Sequence, residues 1–228
     1  MRVLPGQASR LPPGPIPTSR DQVSADQRRR LLEAAADLIA KRGYHGTTIE
    51  LIIRRAKVGY ATFYKNFSDK EECLIAIFDR AGEELRPLLR AAYKAHEGPW
   101  DEKVAATLKA LFAAIAANPN VARACLVEAL TAGPVAVARY EQTLANFEPL
   151  LRPGRDLKPS NAELPDTLEA TLFGGVFWIA YQRLIVGEAD KLIGLLPETI
   201  ELVLSPYVGE DEAVRVADEF GGQPAEPA

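Results

Sequence analysis

Between Thr47 and Phe67 the chain holds two short apolar-periodic segments separated only by Lys57, Val58 and Gly59, and this linker constrains the fold more than any other feature. A connection that short forces two helices to cross steeply instead of lying antiparallel, with Val58 as the apolar plug beneath the corner. The first segment is expected to open on Thr47 with a capping box to Glu50, the threonine oxygen accepting a free backbone N–H while the carboxylate reaches back. Ile49, Ile52, Ile53 and Ala56 then share one face. In the second segment Phe63 and Phe67, four residues apart, point inward, which leaves Ala61, Thr62, Tyr64 and Lys65 on the outer arc.

The flanking punctuation completes a small helical domain. Ser24 and Gln27 form the pattern of another capping box, after which Leu31, Leu32, Ala35, Leu38 and Ile39 recur on one face until Gly43, a residue suited to a helix C-terminus. Ser68 and Glu71 make a third such pattern, opening a long helix through Leu74, Ile75, Phe78, Leu85 and Leu89. Before all of this, Pro5, Pro12, Pro13, Pro15 and Pro17 with few apolar neighbours read as a disordered arm over residues 1–23. Four units are expected: that arm, a helix-turn-helix domain over 24–70, a larger helical domain over 71–208, and a frayed acidic tail over 209–228. The fold class is all-α.

Charge separates the two main units. Residues 1–70 hold thirteen Lys and Arg against six Asp and Glu, a net of +7, whereas residues 71–228 hold fourteen against twenty-five, a net of −11. A basic end on an acidic body is expected where one end meets a polyanion, nucleic acid before a membrane surface. Neither a secretory signal nor a stretch of about eighteen uncharged apolar residues is present, which points to a cytoplasmic protein with no membrane partner.

The run RGYHGTTIELIIRRAKVGYATFYKNFSDKEECL, within Arg28 to Phe78, resembles the N-terminal domain of TetR-type (TetR/AcrR) bacterial transcription regulators. The shared pattern is a glycine-aromatic pair, paired threonines, a short helix, an A-x-V turn, T-F-Y, an aromatic, then a K-E pair. Gly59 stands where the family usually has serine and Cys73 where leucine is common; glycine is an acceptable N-cap. The resemblance implies a homodimeric regulator, usually a repressor, that binds a palindromic operator on double-stranded DNA and is released by a small effector.

A recognition helix entering a major groove benefits from small residues at its leading end, which Gly59, Ala61 and Thr62 supply. Their methyl groups suit thymine, the Thr62 hydroxyl suits a base edge or a phosphate, and Tyr60 reaches either a base or the sugar-phosphate wall. Tyr64 and Lys65 combine a phenol and a cation as phosphate clamps do, and the resemblance implies the same role for them, for Thr47 and for Lys70. The neighbouring Thr48 belongs to the same expected contact set. Lys57, Arg54 and Arg55 are either contributors or a solvated face, and Arg2, Arg10 and Arg20 belong either to a groove-binding arm or to a plain tail.

Downstream, Gly98-Pro99, Asn118-Pro119 and Gly133-Pro134 restart helices through Leu111, Leu130 and Leu151, and long helices follow over 166–186 and from Pro197 to Tyr207. Leu168, Leu172, Phe173, Val176, Phe177, Trp178, Ile179, Tyr181 and Leu184 surround the 166–186 helix almost completely, so it is expected to be buried on both sides. Leu172, Gly174, Gly175, Trp178, Tyr181 and Leu202 are the expected dimer interface, with core packing alone as the rival reading. For an effector pocket the polar candidates are Arg123, Glu128 and Tyr140, with Phe112, Leu126, Phe147, Phe173 and Phe177 as walls; each is equally readable as core, and Arg123 with Glu128 as a structural pair. Such walls favour a hydrophobic or aromatic effector.

Catalysis, metal binding and cofactor binding find no support. Cys73 and Cys125 sit in apolar helical patterns without CxxC spacing, His45 and His96 have no catalytic partner nearby in sequence, and no nucleophile-base pair or phosphate loop is evident. The readings that compete with a ligand-responsive regulator are a ligand-independent DNA-binding protein and, further off, an α-helical enzyme.

Overall fold

The computed structural model describes residues 20–221, and among them every regular element is a helix. The basic domain comprises α1 (Arg20–Arg42), α2 (Ile49–Ala56) and α3 (Tyr60–Asn66), and α4 (Lys70–Ala95) leads out of it into the body. The body contains α5 (Trp100–Ala117), α6 (Pro119–Arg123), a π-helical turn (Ala124–Glu128), α7 (Ala129–Ala132), α8 (Pro134–Ala145), α9 (Glu148–Leu151), α10 (Leu168–Ile185), α11 (Leu196–Val208) and α12 (Glu210–Gly221). Short 3-10 turns connect α9 to α10 and precede α11. No single described helix is long and apolar enough to cross a membrane.

Three helix starts differ from the sequence expectation. Helix α1 begins at Arg20 and carries Ser24 inside it, with Asp21 in its first turn and an ion-pair run from Asp26 through Arg29 and Arg30 to Glu33 along its exposed side. Only residues 1–19 of the expected arm, with Arg2 and Arg10, lie outside the described residues. Helix α2 is capped by Thr48, whose hydroxyl accepts the Leu51 N–H at 3.3 Å. Thr47 is fully buried, its Oγ1 donating to the Gly43 carbonyl at 2.9 Å. Gly43 adopts φ +75° there, so the chain turns tightly through Tyr44 and swings the first threonine of the pair inward and the second onto the cap. Helix α4 is capped by Asp69, which accepts the Glu72 N–H at 2.8 Å. The reciprocal contact comes from Glu72, whose carboxylate accepts the Ser68 N–H at 2.6 Å and hydroxyl at 2.7 Å.

A further correction concerns the C-terminus. The segment expected to be a frayed acidic tail forms α12, which buries Ala213, Val216, Ala217 and Phe220 at helical spacing against the body. Glu210, Asp211 and Glu212 occupy its first turn, where negative charge complements the helix dipole. Residues 222–228 lie outside the described residues.

Two apolar cores result. The first joins Leu31, Ile39, Ile52, Phe63, Phe67 and Leu74, and the second is built on Leu108, Leu111, Phe112, Phe173, Ile200 and Tyr207. The π turn stands between them: Ala124 and Cys125 belong to the first core and Leu126 to the second. Both cysteines are buried free thiols, pushed up to about 12 by that burial.

Candidate nucleic-acid interface and cavity

The outward face of α3 is set by what its inward face buries. Phe63 and Phe67 are 0% and 2% exposed, with ring centroids 5.6 Å apart, while Tyr60 and Tyr64 remain 51% and 57% exposed. Ala61 and Lys65 are exposed and Thr62 is half-buried. Gly59 caps the helix in extended conformation and would meet nothing within 4 Å if it carried a Cβ, so its leading end is open. At the other end Arg28 of α1 donates to the Asn66 carbonyl at 3.3 Å and lies 4.6 Å above the Phe67 ring, a cation at a helix C-terminus. Asn66 in turn donates to the Thr62 carbonyl at 2.8 Å. The preceding turn is closed by Lys57 in the left-handed region at φ 54°, with the Val58 N–H returning to the Ile53 carbonyl at 3.0 Å.

Thus Gly59, Tyr60, Ala61, Thr62, Tyr64 and Lys65 share one short helix, and exposed Thr48 begins α2. Thr47 and Lys70 have other surroundings. A residue as buried as Thr47 has no surface with which to touch a phosphate, which corrects the expectation for it. The Lys70 ammonium donates to the Tyr44 carbonyl at 2.7 Å and the Thr47 carbonyl at 2.8 Å, and stands 4.0 Å above the Tyr44 ring. Burial pushes its pKa down, and in this state it braces the turn before α2 instead of facing outward. Arg55 pairs with Asp37, which also accepts from Asn120 at 2.8 Å; Arg54 and Lys57 are exposed.

The body holds an open cavity of about 820 Å³ between α4, α5, α6 with the π turn, and the α8–α9 segment. Its apolar wall includes Leu85, Leu89, Ile115, Leu126, Phe147 and Leu150. Of the expected pocket residues only Leu126 and Phe147 line it. Phe173 and Phe177 stand one layer behind Phe147, with ring centroids 5.3 and 5.2 Å from it, and Phe112 is wholly buried. Tyr140 is half-buried between the two cores. Arg123 donates to the Leu184 carbonyl at 2.7 Å and Glu128 is turned toward the basic domain, and neither lines the cavity. Apolar periodicity identified the inward faces here and could not separate a filled core from a cavity wall. Sequence reasoning passed over Arg86, Arg90 and Lys94, which also line the cavity; their four-residue spacing on one stripe of α4 was the available signal.

The π turn links this cavity to the basic domain. Cys125 and Leu126 line the cavity, whereas Glu128 accepts the Tyr44 N–H on Oε2 at 3.0 Å and lies 3.5 Å from Arg123. Three residues further on, the Thr131 carbonyl meets His45 Nε2 at 2.8 Å. Such one-turn departures from α-helical register are frequent at functional sites.

Helix α10 is not buried all round within one protomer. Leu172 is 6% exposed and belongs to the protomer's own core, which corrects its place in the expected interface. Trp178, 57% exposed, stacks on Tyr181 with centroids 5.1 Å apart and planes 8° from parallel, and Leu202 of α11 is 47% exposed. A Cβ on Gly174 would meet nothing within 4 Å, and one on Gly175 would meet only Leu202, at 3.6 Å.

Two helices crossing at a three-residue corner, the second held open toward solvent and both mounted on a helical body with a cavity, form a helix-turn-helix unit. Residues 31–77 match the family model described as bacterial regulatory proteins, tetR family. An HTH-type transcriptional repressor of Mycobacterium tuberculosis is 36% identical over 76 residues, 33% of this chain and 38% of that relative. The fatty acid metabolism regulator protein of Bacillus subtilis is 28% identical over 93 residues, 41% of this chain and 47% of that one. The chain therefore matches less than half the length of these curated relatives. Over the whole fold, the fatty acid degradation regulator FadR from Bacillus halodurans superposes with a TM-score of 0.68 at 20% identity, covering 80% of this chain and 95% of that one. FadR from Bacillus subtilis in complex with stearoyl-CoA gives 0.64 at 19% identity, covering 79% and 98%. These likenesses show that the body, and not only the N-terminal domain, has the fold of such regulators.

Proposed function

We propose that the protein is a homodimeric, ligand-responsive repressor whose operator affinity is set by the occupant of the body cavity. The observation that carries this reading is the position of the π turn: one segment of five residues supplies Cys125 and Leu126 to the cavity wall and ends on Glu128, which holds the Tyr44 N–H ahead of α2. A ligand that favours a different arrangement of this turn shifts the basic domain by the difference in its affinity for the two arrangements. In this reading Gly59, Tyr60, Ala61 and Thr62 meet base edges, Tyr64 and Lys65 hold phosphates, and Thr48 joins them from the start of α2. Lys70 positions that surface from beneath. The stripe of half-buried Gly174, Gly175 and Tyr181 with exposed Trp178 and Leu202 pairs two protomers, so that two copies of α3 reach successive major grooves about 34 Å apart. The stearoyl-CoA carried by a neighbour of the same fold supports an effector with a long apolar part in the cavity.

The test is selection of bound fragments from genomic DNA by the purified protein, followed by titration of the selected site with candidate effectors. A discrete palindrome, released by a ligand that competes with a cavity-bound probe, is the expected result. A bound site insensitive to every cavity ligand would favour a ligand-independent DNA-binding protein instead.

A further inference from the structure

The cavity is chemically two-sided. Along α4, Arg86, Arg90 and Lys94 recur every four residues, so their side chains lie one above another on a single stripe, while Leu85 and Leu89 bring apolar surface to the same cavity. None of the three cations has a hydrogen-bond or ion-pair partner among the described residues. The other charges around the cavity are compensated, Glu84 by Arg80 and Arg139 by Asp79. Three uncompensated cations on one stripe stand out in a body whose net charge is −11. Contact with operator DNA does not account for them, because the helical rise places Arg90 about 30 Å along α4 from Lys70, at the end remote from α3.

Resting on the reading of this cavity as the effector site, we infer that its ligand is an amphiphilic anion: an apolar chain lying on Leu85, Leu89, Ile115, Leu126 and Phe147, with a carboxylate or phosphate head held by Arg86, Arg90 and Lys94. The apolar wall alone accepts any greasy molecule. The cationic stripe adds the selection for charge, since an anionic head gains charge-assisted hydrogen bonds that an alcohol lacks and a cationic head is repelled. Arginine at two of the positions suits both carboxylate and phosphate, which it meets with paired N–H donors. Because the stripe is open to solvent, its contribution falls as salt rises, whereas the chain's contribution does not.

The test uses the full chain and four probes of equal chain length: dodecanoate, dodecanoyl-CoA, 1-dodecanol and dodecyltrimethylammonium, titrated calorimetrically below their micellar concentrations. At least one anion binds tenfold or more tightly than the alcohol, with an affinity that weakens between low and high salt, and the ammonium binds weakest. Tighter binding by dodecanoate assigns a carboxylate head, and tighter binding by the thioester a phosphate-bearing one. In the triple variant Arg86→Gln, Arg90→Gln, Lys94→Gln, anion affinity drops by about tenfold, as expected for three partly exposed charge contacts, while the alcohol binds as before. Retained alcohol binding also shows that the variant is folded. Equal binding of alcohol and anions, or a triple variant indistinguishable from wild type toward the anions, overturns the headgroup assignment and leaves the cavity reading intact. Failure of all four probes to bind overturns both.

Discussion

Glu128 accepts the backbone N–H of Tyr44 on its carboxylate at 3.0 Å, joining residues 84 positions apart and tying the segment that walls the cavity to the turn that precedes α2. Glu128→Ala leaves that partly buried N–H without a partner, which costs about 1–3 kcal/mol. Chemical denaturation is expected to show this loss. The more informative measurement is operator affinity with and without a cavity ligand: the ratio between the two shrinks in the variant, because the direct link to Tyr44 is gone. An unchanged ratio would assign the coupling to the Asp37, Asn120 and Arg55 contacts instead.

Thr47 and Lys65 are expected to separate fold from DNA contact. Thr47→Ala removes a buried hydroxyl that donates to the Gly43 carbonyl, lowering stability by about 1 kcal/mol without changing the salt dependence of DNA binding. Lys65→Ala leaves stability nearly unchanged, weakens binding to all sequences, and reduces the slope of log affinity against log salt by about 1. Thr62→Ala alters sequence preference. Fluorescence anisotropy on two unrelated duplexes over a salt series distinguishes the three behaviours.

Buried Glu169 accepts from Arg155 at 2.7 and 2.8 Å and from the Tyr207 hydroxyl at 3.0 Å. The Arg155 hydrogen bonds hold its carboxyl below the usual range, and the His96 hydrogen bond does the same for Glu102. Both groups therefore contribute stability that is complete above the ordinary carboxylate value of 4.5 and is lost as pH falls through their lower folded values. Unfolding free energy is expected to fall steeply below about pH 4.5, the reference carboxylate value. Glu169→Ala, which strands Arg155 and the Tyr207 hydroxyl, is expected to cost about 3 kcal/mol at neutral pH and to flatten that acid limb.

Trp178→Glu places a charge at the exposed residue of the Gly174, Gly175, Trp178 and Tyr181 stripe on α10. Sedimentation equilibrium is expected to show dimer for the unaltered chain and monomer for the variant, with helical content retained because Trp178 is 57% exposed within the protomer. A variant that stays dimeric would move the interface elsewhere.

The basic domain was legible because each of its signals is local. The Lys57-Val58-Gly59 linker, the Phe63 and Phe67 spacing and the paired threonines all act within a few residues, and the structure realises them with caps displaced by one position. Thr47 and Thr48 are equally good caps by composition; which of them turns inward depends on Tyr44, held by Lys70 and Glu128 from distant segments. Helix α12 was hidden by its acidic residues, although Ala213, Val216, Ala217 and Phe220 already carried the apolar stripe. The cavity was the least legible feature. Phe147 and Phe173 have the same apolar signature, and only the arrangement of α4 against α8 and α9 exposes one of them to the void and seals the other behind it.

The most direct measurement is selection and footprinting of genomic DNA by the wild-type protein beside a Tyr64→Ala, Lys65→Ala variant of unchanged thermal stability. A discrete palindrome with half-sites in successive major grooves, protected by the wild type and lost in the variant, is the expected result. Protection without a defined sequence, or the same footprint in both proteins, would contradict the assignment of the outer face of α3 as the DNA-reading surface.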